Sequence, residues 1–140
     1  VSERALREIY FPAFEKTVKE AHPWTVMCSY NRINGCYSSK NKWLLSTVLR
    51  SEWGFDGIVM TDWGALCDRV ESLKSGTELE MPSSRGIRDK EIVKAVKDGT
   101  LSIEELDRAV MRLLVWIFNL ILIFLIFWIN LLKVLYNHSK

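Results

Sequence analysis

The sequence has little of what staples a chain together or holds a metal. Its three cysteines, Cys28, Cys36 and Cys67, are an odd number with no CxxC pair, which excludes a readable disulfide framework. The two histidines, His22 and His138, stand far apart, so no zinc site follows from spacing. No metal or organic cofactor is implied. An excess of one charge is also missing: 19 basic and 17 acidic residues leave a net charge of +2, and most basic residues have acidic neighbours. A nucleic-acid surface would need them clustered. Before Ser2 there is only Val1, with no basic segment leading an apolar stretch, so no signal peptide is visible. The expectation is a piece of a longer chain.

What is present is a regular alternation of patterns. Ser2 stands as an N-cap before Ala5, Leu6, Ile9, Tyr10, Phe14 and Val18, whose spacing predicts a helix to about Ala21, with Pro12 as an interruption. Thr25 to Tyr30 is a run of strand formers followed by the turn residues Asn31, Asn34 and Gly35, which predicts a buried strand and a loop at its C-terminal end. Asn41 caps a second amphipathic helix through Leu44, Leu45, Val48 and Leu49, closed by Trp53 and Gly54. Gly57 to Thr61 is the next strand. Ala65 to Ser75 reads as a helix stopped by Gly76, and Glu78 to Met81 before Pro82 as a weaker strand. Ile92, Val93 and Val96 lie on a helix ended by Gly99. Ser102 and Glu105 form a capping box that opens a last helix through Leu106, Val110 and Leu113.

Alternating strands and helices are the signature of parallel βα units. Two or three such units cannot close a sheet covered on both faces, so the expected fold class is α/β, with this segment part of a barrel or of a doubly wound domain and not the whole of one. In a barrel the chemistry sits at the C-terminal ends of the strands, where this sequence places Tyr30, Asn31, Asp62 and Trp63. Asp62 is the sharpest feature. A carboxylate beside an aromatic face suits sugar chemistry, because the ring stacks on C–H groups while the carboxylate attacks or stabilises an oxocarbenium-like centre. On position alone the simpler reading is a cap for a helix starting near Gly64. For Met27 and Tyr30 it is packing at a strand end.

The company of Asp62 changes that balance. The block Val26-Met27-Cys28-Ser29-Tyr30-Asn31-Arg32-Ile33-Asn34-Gly35, then Leu44-Leu45 and Leu49-Arg50, then Glu52-Trp53-Gly54-Phe55-Asp56-Gly57-Ile58-Val59-Met60-Thr61-Asp62-Trp63-Gly64-Ala65, resembles family 3 glycoside hydrolases, the β-glucosidase-like group. The resemblance begins at Ser2-Glu3-Arg4-Ala5-Leu6, runs through Gly76-Thr77-Glu78-Leu79-Glu80-Met81-Pro82 and fades toward Asn119. It implies a partial (β/α)8 TIM-type barrel, later βα units only, with an apolar C-terminal helix, in which Asp62 is the nucleophile of a retaining O-glycosyl hydrolase, Met27 and Tyr30 line the pocket for the non-reducing sugar, and Trp63 walls the same cleft. The substrate implied is a carbohydrate or β-glycoside. Arg50, Glu52 and Asp56 are read as ion-pair and turn residues on the side away from the active face. Glu78 and Glu80 receive no acid/base role. In most family members the general acid/base lies in a second α/β domain, and a Lys-His pair that holds sugar hydroxyls lies upstream of the matched region. Both would be missing parts of the parent enzyme, leaving this chain an inactive fragment.

The expected division is 1–119 as the family-like part and 120–140 as an apolar tail. Leu113 to Leu132 is a twenty-residue run interrupted only by Asn119 and Asn130, long enough for a membrane span. Trp128, Tyr136 and Lys133 would then sit near one interface. The competing account is translated intron or out-of-frame sequence, since these residue types come largely from AT-rich codons. The first account makes the chain a non-catalytic, membrane-tethered remnant; the second makes its location cytoplasmic.

Overall fold

The computed structural model describes the backbone of residues 1–138 and the side chains of 1–131 and Lys133. The side chain of Tyr136 therefore lies outside the described residues. The first helix, α1, is a run of short α- and π-type segments, Glu3–Ala5, Leu6–Tyr10, Pro12–Lys16 and Thr17–Ala21. Ser2 caps it, its hydroxyl accepting from the Ala5 amide at 3.2 Å. Pro12 interrupts the regular ladder without ending the helix, because it stands at the start of a segment, where its missing N–H costs little. After β1 (Thr25–Cys28) come a small hairpin of β2 (Arg32–Ile33) and β3 (Cys36–Tyr37), a 3-10 turn at Ser38–Lys40 and α2 (Trp43–Glu52). Next are β4 (Ile58–Thr61), α3 (Arg69–Ser75), α4 (Ile87–Lys97) and α5 (Ile103–His138). Asn41 helps cap α2 through its side chain, which accepts from the Leu44 amide at 3.0 Å.

β1 and β4 pair in parallel with Thr25 opposite Ile58 and Cys28 opposite Thr61. Ile58, Val59 and Thr61 are almost completely buried, as a strand covered on both faces requires. Gly57 opens β4 because nothing larger fits: a Cβ there would lie 2.2 Å from the Trp24 carbonyl oxygen. The strand expected over 78–81 is reduced to a single parallel bridge between Met60 and Leu79. The reason is that side chains replace the backbone ladder on either side of it. The Glu78 carboxylate takes the Val59 amide at 2.8 Å, and the Thr61 hydroxyl both donates to the Met81 carbonyl and accepts from the Met81 amide, at 3.0 and 2.8 Å. Two other boundaries also differ from expectation. β1 stops at Cys28, so Tyr30 lies in the loop beyond it, and α3 starts at Arg69, not Ala65.

One core cluster joins α1, α2 and the sheet through Leu6, Phe11, Val48, Trp53 and Val59, with Phe11 edge-on to Trp53 at 5.5 Å. A second joins α3, α4 and α5 through Leu73, Ala95, Leu101 and Ala109. α5 opens on the expected capping box: the Ser102 amide donates to Glu105 at 3.1 Å, and the Glu105 amide to the Ser102 hydroxyl at 3.2 Å. It continues unbroken through Asn119, and from Ile117 to Ile129 every large apolar side chain is exposed.

A buried carboxylate holds these parts to one another. Glu78 receives both its oxygens' bonds from Arg50 at 2.8 Å, a further one from Arg112 at 2.7 Å and the Val59 amide. Its side chain is 1% exposed and that of Arg50 9%. Burial pulls the Arg50 guanidinium below its ordinary range, and the Glu78 charge opposes that pull. Removing one member of such a set strands an uncompensated charge, at a cost of about 3–5 kcal/mol. Glu78→Ala is therefore expected to lose about that much in urea unfolding; a loss below about 1 kcal/mol would contradict this account.

Candidate active site

Parallel pairing puts the C-terminal ends of β1 and β4 on one edge, and the candidate residues gather there. Asp62 follows the last residue of β4 directly, and Tyr30 lies two residues past the end of β1. Thr61 fixes where β4 stops, since its hydroxyl is committed to Met81. The chain then turns, with the Ala65 amide donating to the Asp62 carbonyl at 3.0 Å. Gly64 takes the left-handed φ of +81° that this turn needs and that a side chain would resist. The Asp62 carboxylate accepts from the Trp63 amide at 2.6 Å.

Asp62 does not cap a helix. That duty belongs to Asp68, whose carboxylate accepts from the Glu71 amide at 3.0 Å. Nor are its neighbours packed into a core: Met27, Tyr30 and Trp63 are 50%, 54% and 57% exposed. A half-buried carboxylate thus stands among exposed apolar and aromatic faces. The approach of Asp62 holds the Tyr30 phenol above its ordinary value of 10.0, first through hydrogen bonding, then through desolvation and the carboxylate charge. The contact is a loose one, short of strict hydrogen-bond geometry. This surface can present a nucleophilic or charge-stabilising oxygen to a ring lying over Met27, Tyr30 and Trp63.

Two surface concavities lie elsewhere, one on the outer face of α4 at Asp89, Val93 and Lys97, the other between α2, α3 and α5 at Ser46, Lys74 and Arg112. Neither borders Asp62, which sits on an open edge. Among the described residues no group of three or more His, Cys, Asp or Glu side chains is placed to hold a metal ion. Glu80 pairs with Arg88 at 3.3 Å and Glu78 is buried against Arg50, so both carboxylates are engaged in ion pairs. Glu52 makes a two-point pair with Arg7, at 2.7 and 3.0 Å. Three supports were missed from the sequence. Arg69 donates to the carbonyls of Thr77 and Glu78 at 3.2 and 2.9 Å, and burial pulls the pKa of its guanidinium below the ordinary range. The other two are the buried serines Ser38 and Ser39, whose partners in space no local spacing reveals.

The chain belongs to glycoside hydrolase family 3: the profile of the glycosyl hydrolase family 3 N terminal domain matches residues 1–115. Relatives include an exo-α-(1→6)-L-arabinopyranosidase of Bifidobacterium longum, 64% identical over 108 residues that make up 77% of this chain and 14% of that protein. The thermostable β-glucosidase B of Acetivibrio thermocellus is 58% identical over 118 residues, 84% of this chain and 16% of that protein. Among solved structures, the family 3 β-glucosidase of Bifidobacterium adolescentis superposes with a TM-score of 0.80 at 58% identity, over 84% of this chain and 17% of that one. β-Glucosidase 3B of Thermotoga neapolitana, in complex with α-D-glucose, gives a TM-score of 0.76 at 50% identity, over 79% of this chain and 16% of that one. The chain thus spans about a sixth of the length of these relatives.

The Tyr30–Asp62 approach has a direct spectroscopic consequence. A phenol raised by a neighbouring carboxylate contributes stability below pH 10.0, its ordinary value, and loses it as the pH climbs through the raised one. Asp62→Asn is expected to bring the Tyr30 titration, followed by NMR of labelled tyrosine, back toward 10.0. An unchanged titration would show that the two groups do not meet.

Proposed function

We propose that this chain carries the nucleophile part of a retaining glycosidase site, with Asp62 as the attacking carboxylate. The observation that supports it best is the placement of Asp62 at the end of a parallel strand, half-buried and next to exposed Met27, Tyr30 and Trp63. β1, β4 and the bridging residue Leu79 are read as successive staves of a (β/α)8 barrel, with 1–119 as the family 3 part and 120–140 as an appended apolar tail. In the reaction, an Asp62 oxygen bonds to the anomeric carbon as the glycosidic C–O bond breaks. A second carboxyl group protonates the leaving oxygen and then takes a proton from the water that releases the sugar. Tyr30 orients Asp62, and Met27 and Trp63 cover the apolar face of the ring. The substrate class is a pyranoside with an equatorial leaving group, which β-glucosides and α-L-arabinopyranosides share. The chain alone is expected to turn over an aryl β-glucoside negligibly, because Glu78 and Glu80, the carboxylates on either side of the residue bridged to β4, are engaged by arginines and do not supply a general acid.

Grafting separates the site from what surrounds it. The matched 118-residue segment, placed in the Acetivibrio thermocellus enzyme in place of its own, should yield a chimera that hydrolyses aryl β-glucosides. Asp62→Ala in that chimera should lower kcat by about 10⁴-fold, and added azide should then give the α-glycosyl azide by direct displacement. Hydrolysis that survives Asp62→Ala, or azide rescue with the β-azide as product, would remove Asp62 from the nucleophile's role.

A second reading is favoured by α5. Within Ile103–Leu131 of this helix, the most apolar 18-residue window has a mean hydropathy of 2.6 and none of its residues is buried. As a membrane-tethered remnant, the expressed chain should stay with carbonate-washed membranes and leave them only in detergent. Recovery in the soluble fraction, or only as aggregate, would dismiss the tether.

A further inference from the structure

The hairpin β2–β3 and the turn after it do more than connect β1 to α2. Ser38 and Ser39 lie side by side in the 3-10 turn, 2% and 0% exposed, and their bonds diverge. The Ser38 hydroxyl meets the Ser29 hydroxyl at 2.9 Å and donates to the Asn31 carbonyl at 3.1 Å. The Ser38 amide also reaches Asn31, at 3.3 Å. Ser29 and Asn31 are the two neighbours of Tyr30, so Ser38 holds the residues on both sides of the phenol, Ser29 by its side chain and Asn31 by its backbone carbonyl. The Ser39 hydroxyl points the other way and donates to the Ala65 carbonyl at 2.9 Å. Ala65 closes the turn that carries Asp62 and Trp63, its amide bonded to the Asp62 carbonyl.

The serines themselves are held from beneath. The buried Thr77 hydroxyl donates to the Ser39 carbonyl at 2.8 Å, and the Ser75 hydroxyl to the Lys40 carbonyl at 2.9 Å. Asn41 follows at once with its cap on α2. A buried serine whose hydroxyl binds a distant carbonyl has one satisfied arrangement, since moving either loop would leave an unpaired polar group in a dry site at a cost well above that of a surface bond. Two adjacent residues with this constraint, each bonded to a different strand-end loop, fix the distance between those loops.

We propose that Ser38 and Ser39 are positioning residues that set the placement of Tyr30 against Asp62. This rests on the reading of Asp62 as nucleophile only for its catalytic meaning; the geometric claim stands on the hydrogen bonds. In a retaining site the nucleophile must meet the anomeric carbon within a few tenths of an ångström, so a bracket spanning both loops acts on the chemical step and not on sugar binding alone.

The test uses the full chain in detergent with tyrosines labelled for NMR, the Tyr30 signal being assigned by its loss in Tyr30→Phe. Amide exchange in β1 and β4 reports whether the sheet is intact. With exchange protection retained, Ser39→Ala should move the Tyr30 titration toward the value found in Asp62→Asn, and Thr77→Val, which removes only the support under Ser39, should move it part of the way. Ser39→Cys, which keeps a weak donor of similar size, should recover some of the shift. If Ser39→Ala leaves the Tyr30 titration where it stands in the parent chain while Asp62→Asn displaces it, the serines do not set the pair. Loss of sheet protection in Ser39→Ala and Thr77→Val alike would make these residues supports of the fold only, and would overturn the proposal as well. Neither result depends on whether Asp62 attacks sugars, which the graft decides separately.

Discussion

The Glu78 carboxylate is the point on which the other parts of this structure depend. It draws together α2 through Arg50, β4 through the Val59 amide and α5 through Arg112. Arg50 extends the same cluster by donating to the carbonyls of Gly57 and Gly76, where β4 begins and α3 ends. Two guanidinium groups facing one almost fully buried carboxylate is a costly arrangement unless every oxygen lone pair is used. Here both oxygens accept two bonds each. The result is a tie that tolerates little displacement of any element joined to it.

That tie lies toward the start of β4, and Asp62 at its end. Asp62 stands three positions beyond Val59, about 10 Å at the usual strand rise. Two kinds of carboxylate are thereby divided along one strand: charge is buried and satisfied at one end, while a carboxylate is half-exposed at the other. The division accounts for two otherwise unrelated features. Glu78 and Glu80, which flank the residue bridged to β4, are engaged by arginines and are not free acids. Asp62 is held by backbone groups and a loose phenol contact, so its carboxylate stays available.

How much of this the residues announced depends on the range of the interactions concerned. Caps and strands with local causes were legible: Ser2, Asn41 and the Ser102–Glu105 box act within three residues of themselves, and the apolar run before Thr61 marks β4. The placement of Asp62 and Tyr30 on one edge followed from those strands. What failed to show were features decided across the chain. The expected strand at 78–81 gave way to side-chain bonds from Glu78 and Thr61, which no alternation of residues foretells. α3 starts late because Asp68, not Asp62, satisfies its first turn. Ser38 and Ser39 look like ordinary turn residues, and only their partners at Asn31 and Ala65 reveal the bracket.

The central claim is that Asp62 forms the covalent bond to sugar. A 2-deoxy-2-fluoro-β-glucoside with a dinitrophenyl leaving group needs no general acid for its first step, and the fluorine slows release of the glycosyl-enzyme, so the intermediate accumulates. Digestion and mass spectrometry of the chimera treated with it should place the fluoroglucosyl group on the peptide containing Asp62, at that residue. A chimera that turns over aryl glucosides but carries the label at another residue would contradict the account.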